Sequence, residues 1–233
     1  MRTIVVGDIH GCCEELKQLI SELIESKKYN PKKDRLIFLG DYIDRGDDPR
    51  GVIRYIRRLQ EKYDNVIALM GNHEDMMIKY SNGDKYSGWE YNGYEKTLWS
   101  YAEHKEELTD DYKWMKNLPL YFEDEHHIYV HAGIEPGVPM ENQKRETLLW
   151  IRDNFIYDCR NFSKRVIFGH TPDLSSAYKT IAGNIGIDTG CVFGGKLTAL
   201  LIDTDGIEQE IYSVGKEGTE ETDPYDYDYS YEY

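Results

Sequence analysis

Cysteine is scarce in this chain: four residues among 233, with Cys12 and Cys13 adjacent and Cys159 and Cys191 far from them and from each other. That spacing offers neither a disulfide framework nor a CxxC knot, so reduced thiols in a cytoplasmic setting are expected. Long apolar runs are missing too, and no membrane-spanning helix is expected. Met1-Arg2 leads straight into an apolar run, which leaves no room for a signal peptide. Positive charge is the third shortage. Twenty-eight Lys and Arg stand against 43 Asp and Glu, a formal charge of −15. Broad nucleic-acid binding needs a basic footprint and is therefore excluded. GxSxG and GxGxxG are absent, which removes the common nucleophile elbow and dinucleotide fingerprint. Residues 190–196 come close to a phosphate-cradling loop, but Leu197 stands where Ser or Thr would hold a magnesium ion. A strand over 196–202, entered through a glycine turn and followed by another over 207–213, is expected there instead.

What is present begins with acid. Residues 216–233 carry one Lys against seven acids and alternate tyrosine with polar residues; residues 1–215 still carry −9. The composition of the tail suggests disorder. Its period-two tyrosines also suit an edge strand packed on its own sheet or on a neighbouring chain. The remaining length suits one α/β domain, taken as residues 1–215.

Three apolar runs, over 3–6, 35–39 and 65–70, read as buried strands. Each ends in a glycine-flanked polar cluster: GDIHG at 7–11, GDYIDRG at 40–46 and GNHE at 71–74. Helical patterns follow, over 12–26 with Leu16, Leu19, Ile20, Leu23 and Ile24 expected to face the core, after Pro49, and onward from His73. A βαβαβ rhythm implies neighbouring parallel strands, so the three clusters should emerge on one sheet edge. Oxygen ligands with imidazole favour manganese, iron or zinc. Two later strands, ending at 130 and 168, deliver His131 and His170; His104, His126 and His127 lack such context and read as structural.

Residues 75–118 are the least regular part and are rich in aromatics: Tyr86, Trp89, Tyr91, Tyr94, Trp99 and Tyr101. Ordinary packing of a helical cap is the expectation, with stacking of these rings on a nucleobase or peptide side chain as the alternative. Arg54, Arg57 and Arg58 read as a solvated helix face.

GDIHG, GDYIDRG and GNHE, followed by HAG at 131–133 and GHT at 169–171, resemble the phosphoprotein-phosphatase branch of the calcineurin-like metallophosphoesterases over roughly residues 3–202. LLWIR at 148–152 and DTGCVFGGKLTAL at 188–200 resemble the bacterial and phage members. The resemblance implies two mixed β-sheets flanked by helices in four layers, αββα. It implies two divalent metal ions, manganese ahead of iron, zinc, nickel or cobalt. Asp8, His10 and Asp41 would hold one; Asp41, bridging, with Asn72, His131 and His170 would hold the other. Arg45, Arg152, Asn72 and His73 would contact the phosphoryl group. His73 would act as general acid, oriented by Asp44, while a metal-bridging hydroxide attacks in line.

A phosphorylated protein or peptide, or a nucleotide, is the implied substrate. The first reading is a serine/threonine protein phosphatase, extending to phosphotyrosine. The second is a symmetrical diadenosine tetraphosphate hydrolase. A catalytically silent binding module is the third, disfavoured because the implied ligands, acid and arginines are all there. The SAPNY segment of eukaryotic protein phosphatases is missing after GHT, which weakens transfer of their substrate preference.

Overall fold

A computed structural model of the chain describes residues 1–158, 160 and 162–215. The tyrosine-rich tail and Cys159 lie outside the described residues. In chain order the elements are β1 (Thr3–Val6), α1 (Cys13–Glu25), β2 (Arg35–Phe38), α2 (Pro49–Lys62), β3 (Val66–Ala68) and α3 (Asn72–Ser81). A 3₁₀ turn at Trp89–Tyr91 precedes α4 (Tyr94–Ser100) and α5 (Lys105–Lys116). Next come β4 (Tyr121–Glu123), β5 (His127–Val130), α6 (Arg145–Trp150), α7 (Asp153–Ile156) and β6 (Arg165–Phe168). The last are β7 (Tyr178–Lys179), β8 (Ile185–Gly186), a 3₁₀ turn at Cys191–Phe193, β9 (Lys196–Ile202) and β10 (Glu208–Gly215).

Two five-stranded sheets result, ordered β10-β9-β1-β2-β3 and β4-β5-β6-β8-β7. β1, β2 and β3 run parallel, as do β5, β6 and β8, while the outer pairings are antiparallel. Strand side chains alternate between two faces, and here both faces are buried. In β1 and β2, Ile4, Val6, Leu36 and Phe38 point out to Leu16 and Leu19 of α1 and to Val52, Ile53 and Ile56 of α2. Their neighbours Val5 and Ile37 point inward, meeting Tyr129, Ile167 and Ile185 of the second sheet. Ile128, Val130, Val166 and Phe168 then face Leu148 of α6 and Phe155 of α7. Helix, sheet, sheet, helix is therefore written into the alternation of a few strands.

Local chemistry sets the helix starts. Asp48 caps α2 by accepting the Gly51 N–H at 2.8 Å, and Pro49 takes the first helical position. Of the basic run on α2, Arg58 is exposed as expected of a solvated face, whereas Arg54 and Arg57 are engaged by acids. Arg50 and Arg54 pair with Glu107, and Arg57 pairs with the fully buried Asp111, so α2 carries α5 through charge. The fold also brings Cys12 and Cys191, distant in sequence, to within 4.8 Å of each other and of Glu15.

Candidate metal centre and active site

Parallel strands within one sheet end on the same side, and this chain uses that rule twice. Asp8 follows β1, Asp41 follows β2 and Asn72 opens α3 after β3; His131, His170 and Asp188 follow β5, β6 and β8. The two sets of strand ends interlock. The His170 N–H donates to both Asp8 oxygens at 3.2 and 3.0 Å, and the His73 N–H donates to Asp41 Oδ1 at 3.1 Å. One pocket is lined by Asp8, His10, Asp41, Arg45, Asn72, His73, Arg152 and His170, with Pro172, Asp188 and Phe193 completing it. His131 lies fully buried beside them, its Nε2 2.8 Å from Asn72 Oδ1 and 3.5 Å from Asp41 Oδ1.

The backbone is bent to reach this arrangement. Among the described residues six non-glycines have positive φ, and five are His10, Asp41, Asp44, Arg45 and His170, with φ of 44–68°. Such conformations cost free energy and persist only where surroundings hold them. Glu74 supplies much of the hold on the Asp41 turn. Its carboxylate accepts the N–H groups of Gly71 (2.9 Å), Asp41 (3.0 Å), Tyr42 (2.8 Å) and Ile43 (3.3 Å). Gly169 makes room on the other side: a Cβ there would sit 2.0 Å from Asp8 Oδ1.

The donor set fits divalent cations on three grounds. First, donor atoms of His10, Asp41 and His73, and those of Asp41, His131 and His170, form two groups within 4.8 Å that meet at Asp41. Second, the ring tautomers are set from behind. His10 and His131 donate Nδ1–H to the carbonyls of Ile43 (2.8 Å) and Leu39 (3.0 Å), which turns their Nε2 lone pairs inward. His170 Nε2 is buried without a hydrogen-bond partner among the described residues. Asn72 with its oxygen toward the rings presents lone pairs to lone pairs, which a cation between them makes favourable. Reversed, its amide donates to both rings and to Asp41. Third, Asp8, Asp41, Asp188, Asp44 and Glu74 are five acids buried close together, which demands compensating positive charge.

The electrostatics agree. Burial pushes the Asp8 carboxyl well above the usual range, and Asp188 and Asp41 add to it. Burial pushes Asp41 the same way, but His131, His73 and His10 outweigh it and hold it well below that range. Burial drives His73 and His170 well below the ordinary imidazole value and His131 below it, which favours the uncharged ring. Neutral imidazole is the form that ligates metal.

His73 faces two ways. Its Nδ1–H donates to Asp44 Oδ2 at 2.7 Å, while Nε2 lies 4.0 Å from Asp41 Oδ2. The donor geometry groups His73, rather than Asp8, with His10 and Asp41. Arg45 Nη1 lies 3.3 Å from His10 Nε2, and its guanidinium sits over the Phe193 ring at 5.2 Å.

Trp89 overturns the stacking alternative for its own ring. It is 3 % exposed, and its indole N–H donates to Asp44 at 2.9 and 3.1 Å, so no base can reach it. Among the other aromatics, Tyr101 is buried whereas Tyr86, Tyr91 and Trp99 are exposed. Sequence reasoning assigned no role to Asp188 or Phe193, although both lie in the DTGCVFGG stretch that carried part of the resemblance. Glu74 was visible in GNHE only as the last letter of the motif.

A family model described as calcineurin-like phosphoesterase matches residues 1–195. An asymmetrical bis(5'-nucleosyl)-tetraphosphatase of Oceanobacillus iheyensis is 31% identical, covering 85% of this chain and 88% of that one. Serine/threonine-protein phosphatase 1 of Salmonella typhimurium is 32% identical over 83% of this chain and 88% of its own. A symmetrical tetraphosphatase of a Marinomonas species is 32% identical over 64% of this chain and 49% of its own. A crystal structure described provisionally as a diadenosine tetraphosphatase superposes with a TM-score of 0.68 at 25% identity, covering 93% and 95% of the two chains. Strand ends converging on Asp41, a donor set suited to divalent cations and the match over residues 1–195 place this chain in the calcineurin-like phosphoesterase family, as a metal-dependent hydrolase of phosphoesters.

Proposed function

We propose that the chain is a protein phosphatase acting on phosphoserine and phosphothreonine, with Asp8, His10, Asp41, Asn72, His131 and His170 holding two divalent ions. When bound, such ions supply Lewis-acid polarisation of the phosphoryl group and acidify water. The chain's own residues do the rest. Arg45 and Arg152, both on the pocket wall, clamp phosphoryl oxygens in the bidentate manner that suits a guanidinium. His73 takes a second proton at Nε2 from solvent, with the Asp44 carboxylate as counter-ion at Nδ1–H, and gives that Nε2 proton to the departing oxygen; Asp44 keeps Nε2 aimed by holding the opposite nitrogen. Residues 1–215 act as one unit in this reading, with 75–118 as its cap.

The observation that favours a phosphoprotein is the burial of Trp89. The most sheltered indole of the cap serves Asp44 and not a nucleobase, and the pocket wall is polar except for Pro172 and Phe193. The second reading is a dinucleoside tetraphosphate hydrolase, supported by the relative that matches 85% of this chain under that name. Side-by-side kcat/KM values for a phosphoserine peptide and diadenosine tetraphosphate, with manganese added, decide between them. The peptide should win by at least tenfold. A preference for the dinucleotide overturns the proposal, and the products then separate the asymmetrical cleavage (ATP and AMP) from the symmetrical one (two ADP).

A further inference from the structure

We infer that Trp89 and Thr97 are positioning residues for proton delivery: together they hold the Asp44 carboxylate in the one orientation that aims His73 Nε2 at the departing oxygen. The inference rests on His73 acting as the proton donor and extends that reading to the cap, for which sequence alone offered only packing or ligand stacking.

The geometry is complete around Asp44. Its side chain is fully buried. Oδ2 receives Nδ1–H of His73 at 2.7 Å and the Trp89 indole N–H at 2.9 Å. Oδ1 receives the Thr97 hydroxyl at 2.6 Å and the same indole N–H at 3.1 Å. The Thr97 oxygen also accepts the Asp44 N–H at 2.9 Å, so one side chain fixes both ends of the residue. Asp44 has φ of 68°, a conformation that needs such external support.

Both donors are themselves locked. Thr97 is fully buried on α4. The Trp89 ring is wedged between Tyr80 and Tyr94, each with its centroid 5.4 Å away. The same segment reaches the neighbouring arginine, since the Gly93 carbonyl accepts the Arg45 N–H at 3.1 Å and Asn92 Oδ1 accepts Nη2–H at 3.3 Å. A buried carboxylate keeps its orientation only while donors compensate its desolvation. Remove one, and the carboxylate turns toward the remaining donors, taking the imidazole off line. Residues that orient a functional group through hydrogen bonds of this kind cost roughly 10–100-fold in activity when deleted.

The test uses full-length, manganese-loaded enzyme and two substrates that differ in how much their leaving oxygen needs a proton: phenyl phosphate and p-nitrophenyl phosphate. Trp89→Phe keeps the ring and loses the N–H; Thr97→Val keeps the shape and loses the hydroxyl. Each should lower kcat on phenyl phosphate by roughly tenfold, with KM little changed and a far smaller loss on p-nitrophenyl phosphate. Thr97→Ser should restore most of the activity. A readout independent of catalysis is the indole N–H signal of Trp89 in metal-free protein, assigned by its disappearance in Trp89→Phe. It should exchange slowly with solvent and shift in Asp44→Asn. Equal losses on both substrates, no loss, or an indole signal blind to Asp44→Asn overturns the inference. His73→Asn, run alongside, separates the two levels. If it shows the leaving-group dependence and the cap variants do not, only the positioning role falls. If His73→Asn lacks that dependence, the proton-donor reading falls and carries the inference with it.

Discussion

Asp41 is the residue on which the site turns. Its two oxygens face different partners, His10 Nε2 at 3.3 Å from Oδ2 and His131 Nε2 at 3.5 Å from Oδ1. A shared carboxylate offsets repulsion between two close cations, and neutral Asn and His ligands preserve their Lewis acidity. Asp41→Asn keeps the shape and removes the charge, so it should lose bound metal and not merely rate. Elemental analysis after manganese loading should fall from about two ions per chain to one or none. Manganese should also cease to raise Tm in the variant, since a ligand stabilises only a fold that binds it. Full metal occupancy in Asp41→Asn would defeat the bridging assignment. At this scale the sequence was most legible. Asp8, His10, Asp41 and Asn72 follow short apolar runs, each within a glycine-flanked cluster, a local pattern. Asp188 lacked that signal, because β8 is only two residues long and shows no period.

Among the elements, α2 and α5 show how the cap is attached. The Asp111 carboxylate is wholly buried, paired with Arg57 and accepting the Tyr101 hydroxyl at 2.8 Å. Removing one partner of a buried pair leaves the other uncompensated, which costs about 3–5 kcal/mol in enclosed sites. Arg57 is 25% exposed, so water softens its loss and Asp111→Ala should cost nearer 2–3 kcal/mol. Denaturant titration measures this, and limited proteolysis should cut first between residues 82 and 104. A loss under about 1 kcal/mol would show that apolar contacts hold the cap. The sequence showed Arg54, Arg57 and Arg58 as a basic stripe and nothing more. The acidic partners of Arg54 and Arg57 come from α5, more than 50 residues onward, and no periodicity within α2 announces them.

At the scale of the whole molecule, Asp124 ties the two sheets together. Lying between β4 and β5, it accepts Arg35 Nη1–H from β2 at 2.9 Å, the Tyr129 hydroxyl at 3.0 Å and the N–H groups of His126 and His127. Burial pushes its carboxyl up, but the His127 and His126 N–H groups, the Tyr129 hydroxyl and the His127 charge outweigh it and leave the folded value below the ordinary 3.8. A depressed folded pKa means stability that is present above the unfolded pKa and lost as pH falls through the folded one. Asp124→Asn should therefore cost roughly 1.5–3 kcal/mol at pH 7, the worth of hydrogen bonds to a charged group. The gap from wild type should shrink as pH falls from about 5 toward 2. Unfolding curves at a series of pH values check it. A gap that does not close in acid would place the effect in packing rather than charge.

By itself the sequence determined the α/β class, most strands to within two residues, and the cluster of donors at strand ends. Those features are local, written in period, glycine and short motifs. The tertiary structure alone decided which donors share Asp41, that Glu74 carries the strained Asp41 turn, and that Trp89 serves Asp44 instead of a ligand. Each of those depends on groups brought together across long stretches of chain, as Thr97 and Asp44 are across 53 residues. Burial then sets their charge and direction, and neither can be read from a neighbour in sequence.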